Sequence, residues 1–277
     1  MSSELIRNAC HSFYDAQKLR IMMGNRRDAM AREQVLTPEW EAALGEVMAD
    51  LAGIEKKLIR QVGQACKHSD IMPWLKSVKG VGPAMAGVLL SEIRDPERFG
   101  TVSKLWAYAG LHTVPHCAQC GDSWGRAEED GKVFWRPDCD CGTDAAPTHR
   151  AARRRKGQKA NWNAFLKTKL LGVLAGSFLK CNSPYRVFYD DMRTRLENRP
   201  CKLSPAEHRK VLEGVEATRA AEQLMPNGCT AGHMHNQALR YMIKMFLRDL
   251  LTEWYRVRGL ELRRPYAEEY LGKRHHG

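Results

Sequence analysis

Cys117-Ala-Gln-Cys120-Gly121 puts two thiols three positions apart, with a glycine where the chain must curl so that its amides face the sulfurs. A second pair, Cys139-Asp-Cys141-Gly142, follows after 18 intervening residues. Two such pairs can supply the four thiolates of a tetrahedron, the arrangement that structural zinc takes. The Cys-x-Cys half is tighter than the usual Cys-x-x-Cys, so His112, His116 or His149 could replace one sulfur as a ligand. With every ligand position filled by protein, the expected role is architectural and not catalytic. The other cysteines, Cys10, Cys66, Cys181, Cys201 and Cys229, are scattered at spacings that suit ordinary helix residues. Cys229 with His233 and His235 forms a weaker second pattern.

A different chemistry is suggested by Trp74-Leu-Lys76-Ser-Val-Lys79-Gly80-Val-Gly82-Pro83. Gly80 and Gly82 allow a sharp turn and a close approach by another backbone. Pro83 suits the first turn of a helix, where an amide has no intrahelical partner. A helix–hairpin–helix of this kind aims unpaired amides at its surface, where a phosphate oxygen can bind. Lys76 and Lys79 would add charge there. The plainer alternative is a tight turn between two packed helices that binds nothing.

From Thr148 to Lys159 there are six basic residues and no acid: Arg150, Arg153, Arg154, Arg155, Lys156 and Lys159. Charge at this density repels itself unless a polyanion neutralises it. A solvated loop is the alternative. Lys167 and Lys169 follow on the next helix, with Asn161, Trp162 and Asn163 between. The whole chain of 277 residues carries a formal net charge of +12, which favours a polyanionic partner. No apolar run is long enough for a bilayer, so nucleic acid is expected and a membrane is not. Nine cysteines, an odd number, with no visible signal peptide, suit a reducing cytoplasm, in a bacterial or phage-infected host.

These groups need elements to hold them. Thr37-Pro38-Glu39 reads as a helix start, and Trp40, Leu44, Val47, Met48, Leu51, Ile54, Leu58 and Val62 then follow at helical steps. Leu5, Ala9, Phe13, Ala16, Leu19 and Met23 give an earlier helix a similar stripe. The two stripes suit an antiparallel hairpin within the chain or a coiled coil joining a homodimer. Further helices are expected from Asp95-Pro96, from Thr101 or Ser103, over about 162–180 and 185–196, after the capping box Ser204–Glu207, and over about 235–257 beyond a Pro226-Asn227-Gly228 turn. Lys132-Val-Phe-Trp135 reads as a strand. The expected fold is mainly α: a helical hairpin at 1–72, then a helix–hairpin–helix bundle at 73–277 with a small zinc-ribbon-like β insert at about 112–148.

The run VKGVGPAMAGVLLSEIRDPERFGTVSKLWAYAGL closely resembles the C-terminal domain of insertion-sequence one-ten family transposases, the Piv/MooV-like recombinases. The segments SPYRVFYDDM and HNQALRYMIKMFLRDLL look like that family's final helices, and the N-terminal helix pair looks like its coiled coil. The resemblance implies DNA as partner, strand transfer by a nucleophilic serine, and carboxylates on a RuvC-like domain that this sequence does not contain. Where the family places a Ser-Gly, this chain has its cysteine insert. Ser123, followed by Trp124, lies nearest that place. Asp190-Asp191 is a poor substitute for the missing carboxylates. The expectation is a DNA-binding protein of mobile-element or phage DNA transactions, holding duplex or branched DNA by its backbone. The alternatives are an active serine recombinase, or a subunit completed by a carboxylate-bearing partner, and a structured-RNA-binding module, since the family uses a guide RNA.

Overall fold

The computed structural model describes residues 3–117, 119–120, 124–129, 132–136, 139–141, 147–152, 157, 159–200 and 229–263. Among the described residues the fold is mainly helical, with two small antiparallel sheets of two strands each. It divides into two compact units: residues 1–98 with 250–261, and residues 99–249 with 262–277.

In the first unit, α1 (Ser3–Arg32) and α2 (Pro38–Cys66) pack on each other and on α4 (Pro83–Ile93). Thr37 caps α2, its hydroxyl accepting from the Trp40 amide at 3.4 Å, and Pro38 occupies the first turn. The apolar stripe is only partly covered. Phe13 and Val62 are buried, whereas Leu5, Leu19, Trp40, Val47 and Ile54 are exposed, Trp40 at 60%. The two stripes meet as an antiparallel hairpin within the chain, one of the two arrangements that their pattern suits. The hairpin is about 30 residues per arm, so its length of roughly 45 Å far exceeds the short α4 that covers it.

Where the helices do meet, polar groups fix them. Arg20 grips Glu55 through two bonds, at 2.6 and 3.1 Å. Glu92, 2% exposed, accepts from Arg7 at 2.9 Å and lies 3.2 Å from His11. A buried carboxylate needs such partners, because its desolvation would otherwise cost several kcal/mol (roughly). α4 lies close enough that a Cβ on Gly87 would stand 2.8 Å from the Cys10 sulfur and would also strike Val62.

The start of α3 (Met72–Ser77) is clamped by Asp70. Its carboxylate accepts from the Ile71 amide, the Trp254 indole at 3.0 Å and Arg258 at 2.7 Å. Burial pushes this carboxyl up, but those hydrogen bonds and the Arg258 charge outweigh it and hold it below the usual range.

In the second unit, Thr101 caps α5 (Val102–Tyr108). The helix expected from Asp95-Pro96, in the first unit, is only a 3-10 turn over Pro96–Arg98. The insert follows α5. Strand β1 (Thr113–His116) pairs with β4 (Thr148–Ala151), and β2 (Gly125–Glu129) pairs with β3 (Lys132–Arg136), which contains the expected strand. Then come α6 (Ala164–Lys169), a π turn (Leu170–Leu174), α7 (Ala175–Lys180) and α8 (Arg186–Glu197). The last helix, α9 (Ala231–Val257), contributes residues up to Asp249 to this unit and the remainder to the first. In the core Phe178 and Tyr185 stack at 5.3 Å between ring centroids, and Phe246 meets both edge-on at 5.3 and 5.4 Å. The capping box at Ser204 and the Pro226 turn lie outside the described residues.

Candidate metal centre and nucleic-acid interface

The four sulfurs of Cys117, Cys120, Cys139 and Cys141 lie within 4.8 Å of one another. Cys117 is buried at the end of β1, Cys139 and Cys141 are half-buried, and Cys120 is exposed. Four thiols this close can hold a metal ion. The local chain is folded for thiolates: the Gln119 amide donates to the Cys117 sulfur at 3.4 Å. Hydrogen bonds from the amides of Cys120 and Gln119 pull the Cys117 thiol down to about 6. Burial does the opposite elsewhere, raising Cys10 to about 12 and Cys66 to about 11, as suits inert core thiols.

The histidines considered as substitute ligands are not in this group among the described residues. Nδ1 of His116 lies 2.8 Å from the Val114 carbonyl, and His149 sits on β4 opposite Pro115. In the second pattern, His235 lies 2.7 Å from the Tyr189 hydroxyl, and His233 is bonded to Gln237. Cys229 is disulfide-bonded, which departs from the reading of it as an ordinary helix cysteine.

The hairpin forms as the sequence predicts, but its two glycines differ. Gly80 has φ of 103°, a conformation in which a side chain is strained, and the Val81 amide closes the turn on Val78 at 3.1 Å. Gly82 has φ −88° and ψ 173°, ordinary extended backbone and the region that a residue before proline prefers. A Cβ there would meet nothing within 4 Å. The expectation that both glycines are needed for the turn is thus corrected: Gly80 makes it, while Gly82 leaves open space in front of α4. No side chain caps α4 at Gly82, and Lys76 and Lys79 are exposed beside it.

The basic strip is not one loop. Its first residues form β4, with half-buried Arg150 paired opposite Val114, while Lys159 is exposed. Pairing wins there because β1 offers a free edge to residues 148–151. Arg153, Arg154, Arg155 and Lys156 lie outside the described residues, and so does Ser123. Asp190 and Asp191 are exposed on α8, and Asp190 is engaged by Arg186 at 3.3 Å.

Tyr108 and Asn163 join the α5 turn to α6. The Asn163 amide donates to the Tyr108 carbonyl at 2.8 Å, its side-chain amide to the Tyr108 hydroxyl at 3.0 Å, and its side-chain oxygen caps α6 at Leu166. Trp162 packs over Gly110, T-shaped to His112 at 6.0 Å between ring centroids. One face of the Trp162 indole is thus taken up by packing against Gly110.

Residues 72–128 match the family model described as Transposase IS116/IS110/IS902 family, so over that segment the chain is similar to transposases of this family. The match runs from the hairpin through the Tyr108-Ala-Gly110 turn to the first half of the cysteine cluster. No curated protein and no solved structure matches the chain. Among the described residues, no helix is long and apolar enough to cross a membrane.

Proposed function

We propose that this protein binds DNA, duplex or branched, by its sugar–phosphate backbone, in the DNA recombination of a mobile element or phage. The observation that carries this reading is the hairpin: a transposase-family segment with open space at Gly82, an uncapped α4 start and exposed Lys76 and Lys79. Contacts to phosphate position a protein without reading sequence. Arg150 and Lys159, with Arg153, Arg154, Arg155 and Lys156 of the strip, would supply further phosphate contacts of their own. On this reading residues 1–72 are a helical arm, with the exposed stripe free for a second copy, and 73–277 are the DNA-holding domain.

The metal that suits four clustered thiols is zinc, held by Cys117, Cys120, Cys139 and Cys141. It would supply folding energy to the insert and no catalysis, since four protein ligands leave no open position.

Electrophoretic binding to linear duplex, four-way junction and an RNA hairpin at matched salt tests the proposal. Tighter binding to either DNA than to RNA supports it. Preference for the RNA hairpin replaces it with the RNA-binding reading.

A further inference from the structure

The hairpin leaves a second group of cations unexplained, in the unit formed by residues 99–249. Lys167, on α6, donates to the Ala152 carbonyl at 2.7 Å, and its ammonium lies 4.8 Å from the Trp162 ring centroid. α9 brings up Arg240 and Lys244, one turn apart on the same face. The Lys244 ammonium lies 5.0 Å from the Trp106 ring, and the Trp106 indole donates to the Lys244 carbonyl at 2.9 Å. His112 completes the group, and its Nδ1 is buried without a hydrogen-bond partner.

These cations act on one another. Burial lowers Lys167 to about 8 and lowers Lys244 as well, and the charge of Arg240 adds to both shifts. Burial lowers His112 too, followed by the charge of Lys167 and then, more weakly, of Lys244 against a hydrogen bond at Ala107. Among the described residues, neither Lys167 nor Lys244 is ion-paired with a carboxylate. Like charges one turn apart on a helix already disfavour it, and taking them out of water costs more. A fold assembled only for stability would place apolar side chains here. The π turn that begins at Leu170, directly after α6, is a second departure from regular packing at the same place, of a kind common at functional sites.

We propose that Lys167, Arg240 and Lys244, with the imidazole of His112, form a binding site for a phosphate group carried by a nucleic-acid strand. The bound anion neutralises the ammonium charges of Lys167 and Lys244, which two helices bring in. Half-burial of the cations suits one phosphate held by several groups better than a track along a surface. The site does not depend on the hairpin reading, because it uses none of the hairpin's residues.

The test compares the parent protein with Lys167→Met and Lys244→Met, which keep the length and apolar stem of lysine and remove the charge. Melting is followed in chloride buffer and after replacing chloride by inorganic phosphate at constant ionic strength. Phosphate also stabilises proteins generally by exclusion from their surface, which acts on parent and variants alike. The expected result is a larger phosphate-induced rise for the parent than for either variant, with the variants melting no lower than the parent in chloride. Equal rises, or variants that melt several degrees lower in chloride, overturn the site and make the lysines packing clips. Should either variant not fold, Arg240→Gln serves in the same comparison. Short duplexes with and without a 5′-terminal phosphate then identify the source. An affinity loss of about tenfold in the variants on both duplexes assigns an internal phosphodiester, and a loss confined to the phosphorylated one assigns a strand end. No loss on either overturns the nucleic-acid assignment. Gly82→Val separates the two readings, since it should weaken DNA binding while keeping the phosphate-induced rise.

Discussion

Gly110 and Trp162 are in contact across the α5 turn: a Cβ on Gly110 would lie 2.8 Å from Cγ of the Trp162 indole and 2.9 Å from Cδ of Lys167. Gly110 also has φ of 67°, where side chains are strained. The glycine of the Tyr-Ala-Gly turn therefore gives both the indole and the lysine stem their seat. Gly110→Ala should destabilise the protein by about 2–4 kcal/mol, combining backbone strain with overpacking. A urea midpoint equal to that of the parent would show that Trp162 can move away freely.

The two hairpin glycines should separate stability from binding. Gly80→Ala should cost about 1–2 kcal/mol of stability, because the left-handed half of backbone space is strained for an L side chain. Gly82→Val should leave the urea midpoint near the parent's and reduce DNA affinity for all sequences alike. Equal DNA affinity in a folded Gly82→Val protein would make the hairpin a packing device.

Neutralising Lys76 and Lys79 together should flatten the plot of log affinity against log salt by about two units, near one for each phosphate left without its cation. Neutralising Arg153, Arg154, Arg155 and Lys156 should flatten it by about four. An unchanged slope in either case would remove those residues from the interface.

Elemental analysis should find one zinc per chain, and a chelator should unfold the insert. The Cys120→Ser/Cys139→Ser double variant should lose the metal. Retention of metal by that variant would assign it elsewhere.

Lys167 gives stability a signature in pH. Its proton is held to about 8 in the folded protein and to the ordinary lysine value, 10.5, in the unfolded chain. Below about pH 8 both states are protonated, and the fold carries the full cost of a half-buried charge facing Arg240 and His112. Between about pH 8 and pH 10.5 the unfolded chain binds the extra proton, so this group's contribution to stability rises with pH. Any advantage of Lys167→Met over the parent should shrink across that interval. An advantage that grew instead would mean that the lysine is not desolvated.

The sequence is most legible where one local rule decides the outcome. Thr37-Pro38 starts a helix, Gly80-Val-Gly82-Pro83 makes a hairpin, and paired cysteines converge. It is less legible where the outcome depends on distant partners. The apolar stripe gives Trp40, Val47 and Ile54 a face but cannot tell that α4 is too short to cover it. The cationic cluster is invisible there because Lys167 and Lys244 are 77 positions apart, and nothing local joins a lysine that follows the basic strip to one on the last helix. Two signals point towards it: the spacing of Arg240 and Lys244 at one turn, and the glycine at 110. Arg150 misleads for the opposite reason, since a run of charge conceals the strand pairing of 148–151.

The amide of Ala152 donates to the His112 carbonyl at 3.3 Å, so the β insert leaves and rejoins the helical body through a single doorway. Everything between those two residues is a cassette whose ends already touch. Its length and content can change without moving α5 or α6, because closing such a loop costs little more as it lengthens. A lineage could thus exchange one cassette for another while the helices behind stay the same. The same doorway offers an engineer a point of insertion where a short turn or a foreign domain can replace the cysteine-bearing segment.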